Sequence, residues 1–253
     1  MTDAPSRPVT IITGASRGIG AAIAERLAAD GHDLVLTYRD RRDDADAVAR
    51  RCEASGSRVL VLQVDLADLE AAATVLPAAI AEFGTVTGLV NNAGITGRIS
   101  GFLDGTIEES ERLFRVNVLA PIVLTRAAIA HMATDRGGAG GSVVNISSGA
   151  ARSGAPNTYI PYAMSKAALN ALTTGASKEF GPVGVRVNTV SPGTTRTEIH
   201  DEAGRPNAPE ERAPAIPMRR PGEPHEIAGA VAYLFSPDAT YTSGADIRVA
   251  GGN

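Results

Sequence analysis

The sequence has little of the residue types that build disulfides and metal centres. A single cysteine, Cys52, excludes a disulfide within the chain. Only four histidines are present, too far apart along the chain to form a local cluster of metal ligands. They are His32, His131, His200 and His225. We therefore expect no metal centre and a reducing, cytoplasmic setting.

Long apolar runs and an excess of positive charge are also lacking. No window approaches the roughly 18 uninterrupted apolar residues of a membrane-spanning helix. Residues 1–8 contain Asp3 and two prolines but no apolar core, so we expect a frayed lead-in rather than a secretory signal. The formal net charge of −4 argues against nucleic acid or an anionic membrane as a partner. The sequence predicts a soluble protein.

Short apolar runs alternate along the chain with helical segments. The runs predicted to be strands are Val9–Ile12, Leu34–Tyr38, Arg58–Val64, Val86–Val90, Val143–Ile146, Val185–Val190 and Asp246–Val249. The longer helices between them are predicted over residues 68–83, 107–132, 158–180 and 224–235. This alternation indicates repeated βαβ units with right-handed crossovers, and therefore a parallel sheet in a single α/β domain spanning residues 1–253.

Two segments depart from this regular pattern. Residues 194–221 carry five prolines and little periodicity, which predicts a lid over the substrate. Within the helix predicted over residues 107–132, Asn117 lies in an apolar stretch, and Pro121 has no amide hydrogen to donate to its carbonyl. A local distortion of the helix is therefore predicted there.

A glycine-rich loop follows the first predicted strand, with Gly14, Gly18 and Gly20 in the spacing G-x3-G-x-G. Glycine lets the backbone turn tightly, and the first amides of the following helix favour a bound anion. The loop therefore predicts a cradle for a pyrophosphate. Its spacing differs from the G-x-G-x-x-G of dinucleotide-binding folds, so a turn required only for packing remains an alternative.

A candidate proton-transfer site lies in the second half of the chain. Tyr162 and Lys166 are four residues apart on a predicted helix, so they share one face, and an ammonium beside a phenol lowers its pKa. A tyrosine tuned in this way can exchange a proton with an alcohol oxygen. Ser148 follows the fifth strand, where its hydroxyl could hold a substrate oxygen; Ser147 and simple capping of the loop remain alternatives.

These motifs together resemble those of the short-chain dehydrogenase/reductase family, in particular its 3-oxoacyl-carrier-protein reductase and glucose dehydrogenase branch. The residues that carry the resemblance are Thr13–Gly20, Asn91–Gly94, Asn117, Ser148, Tyr162, Lys166 and Ser191–Gly193. The resemblance implies a doubly wound Rossmann-type domain with strand order 3-2-1-4-5-6-7 and helices on both faces. It also implies a nicotinamide cofactor, hydride transfer between an alcohol and a carbonyl, and a homotetramer or a dimer.

The resemblance also implies a role for each matching residue. Tyr162 would be the general acid/base, Lys166 would lower its pKa and hold the nicotinamide ribose, and Ser148 would orient the substrate carbonyl. Asn117 would anchor a water in the proton relay. The cofactor-binding residues would be Gly14, Ser16, Arg17, Gly18, Ile19, Gly20, Tyr38, Arg39, Asp65, Leu66, Asn91, Ala93, Gly94, Tyr162, Lys166, Pro192, Gly193, Thr195 and Thr197. Tyr159, which lacks a lysine four residues on, would be a substrate-pocket or interface residue.

The end of the second strand predicts NADP(H) rather than NAD(H). A carboxylate there would accept the ribose 2′-hydroxyl of NAD, but this chain has Tyr38 followed by Arg39, and Arg17 lies in the glycine loop. By resemblance both arginines lie beside the 2′-phosphate. The alternative is that Arg39 belongs to a solvated charged run and is partly neutralised by Asp40.

Function and substrate are less fully determined by the sequence. A catalytically silent dinucleotide-binding sensor or scaffold on the same fold is the main alternative to an enzyme, and epimerase or dehydratase chemistry ranks last. The complete set of proton-relay residues favours an enzyme. Charged residues in the predicted lid favour a polar substrate over a long acyl chain, although they are equally compatible with a solvated surface.

Overall fold

The computed structural model describes residues 7–253, apart from the side chains of His200 and Glu202. Most of the predicted lead-in, residues 1–6, lies outside the described residues. For the other two residues the prediction of fraying is wrong. Arg7 Nε lies 3.2 Å from a carboxylate oxygen of Asp33, and the Pro8 carbonyl accepts a hydrogen bond from the Asp33 amide.

Seven strands form one parallel sheet in the order 3-2-1-4-5-6-7, which confirms the predicted fold class. The strands are β1 (Val9–Ile12), β2 (Asp33–Tyr38), β3 (Val59–Gln63), β4 (Gly88–Asn91), β5 (Gly141–Ile146), β6 (Val185–Pro192) and β7 (Asp246–Val249). The strand order reverses between β1 and β4, and an open α/β sheet binds its ligands at such a point.

Helices cover both faces of the sheet. They are α1 (Gly18–Ala29), α2 (Arg42–Ala54), α3 (Leu69–Ala73), α4 (Val75–Phe83), α5 (Ile107–Phe114), α6 (Ala120–Met132), α7 (Ala150–Ser153), α8 (Ile160–Phe180), α9 (Ile199–Glu202), α10 (Ala208–Arg212) and α11 (Pro224–Phe235). One apolar core lies between the sheet and α3, α4, α6 and α8, and a second lies between the sheet and α1, α2 and α11. Because both faces are covered, β1 and β2 are buried along their whole length.

The helix predicted over residues 107–132 is interrupted as expected. A π-helical turn, Arg115–Leu119, joins α5 to α6 and contains Asn117. Pro121 cannot donate the amide hydrogen that an α-helix requires at that point, which accounts for the wider turn. By length and composition Ile107–Met132 could cross a membrane, but half of its most apolar window is buried inside the protein.

The segment predicted as a lid, residues 194–221, contains more helix than its prolines suggested. It holds α9, α10 and a 3-10 turn, Ala213–Ala215. A parallel bridge between Thr195 and Gly222 joins the two ends of the segment. The segment therefore begins and ends at one place beside the sheet.

Candidate active site

A cleft of about 970 Å³ opens at the carboxyl edge of the sheet, where the strand order reverses. The predicted site residues come from loops that are far apart in sequence, yet the fold brings almost all of them to this cleft. Only Asn91 and Asn117 do not line it. Among the described residues, no group of three or more His, Cys, Asp or Glu side chains could hold a metal ion.

The glycine loop is tightly enclosed by its surroundings. A Cβ added to Gly20 would lie 2.3 Å from the Gly14 carbonyl oxygen, and one added to Gly14 would lie 2.9 Å from Ala93 Cα. Gly14 also has a φ of +65°, which favours glycine. The first turn of α1 contains no acidic residue, and the side chain of its N-cap residue, Arg17, does not cap its amides. Its positive end is therefore suited to an anion.

Thr13 and Asn92, neither of them predicted as a site residue, fix this loop against the end of β4. The Thr13 hydroxyl accepts hydrogen bonds from the amides of Asn92 and Ala93, each at 3.0 Å. Asn92 Nδ2 donates in return to the carbonyls of Thr13 and Gly14, at 2.8 and 3.1 Å. These bonds set the distance between the glycine loop and the loop after β4.

Asn91, predicted to bind the cofactor, does not line the cleft. Its side chain is buried in the sheet, where Nδ2 donates to Asn145 Oδ1 at 2.8 Å and to Thr125 Oγ1 at 2.9 Å. Asn92, one residue on, lines the cleft instead. Successive side chains of a strand point to opposite faces, so adjacent asparagines cannot share one role.

Tyr38 and Arg39 lie at the end of β2 and line the cleft together with Arg17. Tyr38 is buried, whereas the Arg39 side chain is 45% exposed and forms an ion pair with Asp40. Arg39 thus lines the cleft and is paired with Asp40, and its contact with a 2′-phosphate stays a prediction.

Asp65 and Leu66 line the cleft where the chain leaves β3. Asp65 Oδ1 accepts a hydrogen bond from the Ala67 amide at 2.9 Å, and Oδ2 lies 3.8 Å from Arg112. The turn thus holds the carboxylate in place at the cleft. Its contact with the cofactor stays a prediction.

Tyr162 and Ser148 both line the cleft. Ser148 Oγ accepts the Ala150 amide at 3.1 Å, which fixes its position. Burial raises the pKa of Tyr162 to about 12, and the nearby Ser148 side chain opposes that rise. The Ser147 hydroxyl donates to the Lys166 carbonyl at 3.0 Å, which favours Ser148 over Ser147 as the site serine.

Lys166 is buried at the base of the cleft, where Nζ donates to the Ile146 carbonyl at 2.9 Å. Nζ lies 5.7 Å from the centre of the Tyr162 ring. Burial lowers the pKa of this ammonium to about 8. Desolvation of the phenol has the largest effect on the pKa of Tyr162, and the lowering of that pKa by Lys166 stays a prediction.

The Asn117 side chain faces away from the cleft and binds the loop after β4. Oδ1 accepts the Ile95 amide at 2.9 Å, while Nδ2 donates to the Ile95 carbonyl at 2.8 Å and to Ser165 Oγ at 3.0 Å. A Cβ on Gly94 would lie 3.1 Å from Lys166 Nζ and 3.3 Å from Asn117 Oδ1. Gly94 thus allows both side chains to approach the loop closely.

The first residues of the lid pack against the glycine loop. Pro192 and Gly193 end β6 at the cleft, and Thr197 Cγ2 lies 3.3 Å from the position of a Cβ on Gly18. Thr195 also lines the cleft and forms the bridge to Gly222. The cradle and the lid are therefore in contact.

Tyr159 and Arg212 form a second polar pair in the cleft. The Tyr159 ring meets the Tyr162 ring edge to face, with centroids 5.1 Å apart, and its hydroxyl accepts a hydrogen bond from Arg212 Nη1 at 3.4 Å. This agrees with the expectation that Tyr159 is a pocket residue. Arg212 was missed because it belongs to no motif and lies in a segment without periodicity.

Comparison with known proteins agrees with this architecture. The family model described as enoyl-(acyl carrier protein) reductase matches residues 14–253. The uncharacterized oxidoreductase YgfF of Escherichia coli is 37% identical over 244 residues, which are 96% of this chain and 99% of that protein.

Two solved structures are similar over nearly their full length. A blue fluorescent protein from a metagenomic library, in complex with NADPH, has 37% identity and a TM-score of 0.88, with 97% of each chain covered. A short-chain dehydrogenase from Burkholderia cenocepacia, in complex with NADP, has 35% identity and a TM-score of 0.87, covering 98% of this chain and 99% of that one. The chain therefore belongs to the short-chain dehydrogenase/reductase family and is an oxidoreductase of that type.

Proposed function

We propose that the protein interconverts an alcohol and a carbonyl compound with NADP(H), and that Tyr162 is its general acid/base. The observation that carries this proposal is that Ser148 and the buried side chains of Tyr162 and Lys166 line the cleft together. A dinucleotide-binding scaffold would need the glycine loop but not this second group of residues.

The glycine loop and the strand ends fit a dinucleotide. The enclosed backbone at Gly14 and Gly20 leaves room for phosphates but not for a Cβ. Arg17 and Arg39 would bind a 2′-phosphate through charge-assisted hydrogen bonds. The solved relatives in complex with NADPH and NADP support this choice of cofactor. When bound, NADP(H) supplies or accepts a hydride at its nicotinamide ring.

Tyr162 holds the proton that the reaction exchanges. With a pKa raised to about 12, the phenol is protonated near neutral pH and can donate to the oxygen of a carbonyl substrate. Ser148 donates a second hydrogen bond that orients and polarises the same oxygen. In the oxidation direction Tyr162 must first lose its proton, which its burial opposes. From this group we therefore expect oxidation to have its optimum at a higher pH than reduction.

Lys166 and Asn117, which both approach Gly94, support this step. The Lys166 ammonium would hold the hydroxyls of the nicotinamide ribose, as the family resemblance implies. The backbone carbonyl of Asn117 would hold a water of the proton relay. In an α-helix this carbonyl would accept the amide hydrogen of residue 121, which Pro121 lacks. The side chain instead holds the loop after β4 in place.

The proposal includes a domain organisation and an assembly. Residues 7–253 would act as a single cofactor-binding and catalytic domain, with residues 194–221 as the substrate lid. The chain would form a homotetramer or a dimer, in which the edge strand β7 and helix α11 meet a second copy. Light scattering at the assay concentration would detect the oligomer, and a fully active monomer would contradict it.

A substrate panel tests the central activity. NADPH oxidation and NADP reduction would be measured across ketones, aldehydes, sugars, steroids and acyl thioesters, with the product identified. We expect stoichiometric reduction of at least one carbonyl class. If NADPH binds tightly and no member of the panel is turned over, the result supports the silent sensor instead.

A further inference from the structure

Arg212 is a cation in the substrate end of the cleft that the proposed proton transfer does not use. It ends α10, which is anchored by the buried residues Ala208 and Pro209. Its guanidinium is partly buried, lines the cleft and donates to the Tyr159 hydroxyl at 3.4 Å. Because the Tyr159 ring contacts the Tyr162 ring, the Tyr159 side chain links the guanidinium to the proposed acid/base.

The carboxylates nearest to Arg212 in sequence are already paired with other arginines. Glu210 lies 2.8 Å from Arg196, and Glu211 forms an ion pair with Arg205. Of the described carboxylate side chains, none forms a salt bridge with Arg212. Its hydrogen-bond partner, a phenol, is neutral and carries a proton of its own to donate.

Arginines line both halves of the cleft, whereas the described carboxylate side chains that line it belong to the cofactor half. Asp40 and Asp65 follow β2 and β3, and Glu198 lies beside Gly18. The lining of the other half includes Arg212, together with the more exposed Arg152 and Arg248. The substrate half thus contains arginine side chains with no described carboxylate side chain among them.

From this arrangement we propose that Arg212 and Tyr159 form a carboxylate-binding site, and that the substrate is a small oxo acid or the corresponding hydroxy acid. The inference rests on the proposed function and names its substrate class. The guanidinium presents parallel N–H groups that match the two oxygens of a carboxylate, and the Tyr159 hydroxyl adds a donor beside them. The carbonyl of the same molecule would then reach Tyr162 and Ser148.

Matched pairs of substrates test the site. The kcat/KM values with NADPH would be compared for pyruvate, 3-oxobutanoate and 4-oxopentanoate and for their methyl esters, which differ in charge at the same carbon skeleton. We expect the wild type to favour at least one carboxylate over its ester by roughly 10-fold or more. Charge-assisted hydrogen bonds of this kind account for such a factor.

Two variants assign the preference to Arg212. Arg212→Gln should lower kcat/KM for that carboxylate by roughly 10- to 100-fold, mainly through KM, and change the value for its ester by less than about twofold. Arg212→Lys should recover part of the loss. Arg205→Gln, a lid arginine outside the cleft, is the matched control and should preserve the preference.

Other results would overturn the inference. An equal loss for carboxylate and ester in Arg212→Gln would indicate a structural role, and preference for the esters would exclude a carboxylate site. A stronger preference for dihydroxyacetone phosphate over dihydroxyacetone would assign the site to a phosphate instead.

Failure of the inference can be distinguished from failure of the proposed function. If Tyr162→Phe abolishes reduction of the esters while Arg212→Gln has no selective effect, only the inference fails. If no compound is reduced, calorimetric titration of 4-oxopentanoate into the NADPH complex tests the carboxylate site independently of turnover. Binding lost in Arg212→Gln supports the carboxylate site, and absence of binding to the wild type contradicts it.

Discussion

The cofactor half of the cleft is built on strand ends, whereas its substrate half is built on α7, the start of α8 and the lid. In the cofactor half, Asn92 and Thr13 hold the glycine loop by reciprocal hydrogen bonds between adjacent strands. In the substrate half, Arg196 reaches Glu210 through an exposed ion pair. Exposed ion pairs contribute about 0–1 kcal/mol, so this polar contact of the lid is weaker than the reciprocal hydrogen bonds of the cradle.

This difference separates general binding from specificity. A rigid cradle suits a cofactor that is the same in every turnover, and strand ends provide that rigidity. A lid fixed by weak contacts can differ between relatives without disturbing the sheet, which suits the selection of a substrate. Tyr162, on α8, lies where the two halves meet, so its chemistry depends on both.

Tyr162 lies where the cofactor and substrate halves meet, and replacing it should give the largest loss of turnover. Tyr162→Phe removes the hydroxyl that exchanges the proton but keeps the ring, so turnover should fall by ~10²–10⁴-fold while NADPH affinity and the unfolding temperature stay close to wild type. Steady-state kinetics and a fluorescence titration with NADPH measure both quantities.

Tyr159→Phe is the matched control, because the two rings are in contact and only the position of the lost hydroxyl differs. It should lower turnover of a neutral substrate by less than about threefold. If Tyr162→Phe keeps more than about half of wild-type turnover, with chemistry shown to be rate-limiting, Tyr162 is not the acid/base.

Changing the end of β2 should alter cofactor choice without affecting the substrate half. In the wild type we expect kcat/KM to favour NADPH over NADH on the order of 10²-fold, because Arg17 and Arg39 bind the 2′-phosphate. Tyr38→Asp combined with Arg39→Ala should shift the preference towards NADH.

Asp40→Asn sharpens this test, because it removes the ion pair that neutralises Arg39. It should keep or increase the NADPH preference. Equal efficiency of the wild type with both cofactors, or no shift in the double variant, would show that these arginines do not recognise the phosphate.

Filling the cradle should weaken both the fold and the cofactor site. In Gly20→Ala the new Cβ would lie 2.3 Å from the Gly14 carbonyl oxygen, so the backbone must move. We expect a loss of about 1–3 kcal/mol in the free energy of unfolding and roughly 10- to 100-fold weaker NADPH binding.

Gly175→Ala, within α8, provides the control because nothing lies within 4 Å of its Cβ position. It should be neutral or stabilise the protein by up to about 1 kcal/mol. Similar effects of the two substitutions would contradict the role of the enclosed loop.

The buried lysine predicts a smaller effect, on the pH dependence of stability. Burial lowers the pKa of Lys166 from its usual 10.5 to about 8, so between these values the unfolded chain binds more protons than the folded protein. The free energy of unfolding should therefore gain up to ~1.4 kcal/mol per pH unit from this group as pH rises from about 8 to 10.

Lys166→Met should remove that contribution. Lys178→Met, at the exposed last turn of the same helix, should leave the pH dependence unchanged. Chemical denaturation of the cofactor-free protein at several pH values measures both. If the free energy of unfolding changes with pH equally in the two variants, Lys166 is not the source of the pH dependence.

The sequence was sufficient for the fold because its apolar runs are regular and its long connections are helical. β7 and α11 have the predicted bounds, and the distortion at Asn117 followed from the chemistry of Pro121. These features depend on neighbours along the chain, which the sequence displays directly.

The features that the sequence did not reveal depend on contacts between distant residues. Asn91 is held inside the sheet by Asn145, far along the chain, and this pairing requires the strand register. The pKa of Tyr162 is set by burial in the assembled cleft. Arg212 acquires its position only when the lid packs beside Tyr159. None of the three has a local signature.

Transfer of an isotopic label tests the central claim, hydride transfer in this cleft, most directly. The protein would be incubated with NADPH deuterated at C4, in each stereochemical form, and with the best carbonyl substrate of the panel; the alcohol would then be analysed by mass spectrometry and NMR. The account predicts one deuterium on the carbinol carbon from one of the two forms, with the rate lost in Tyr162→Phe. An alcohol without deuterium from either form, or an undiminished rate in Tyr162→Phe, would contradict it.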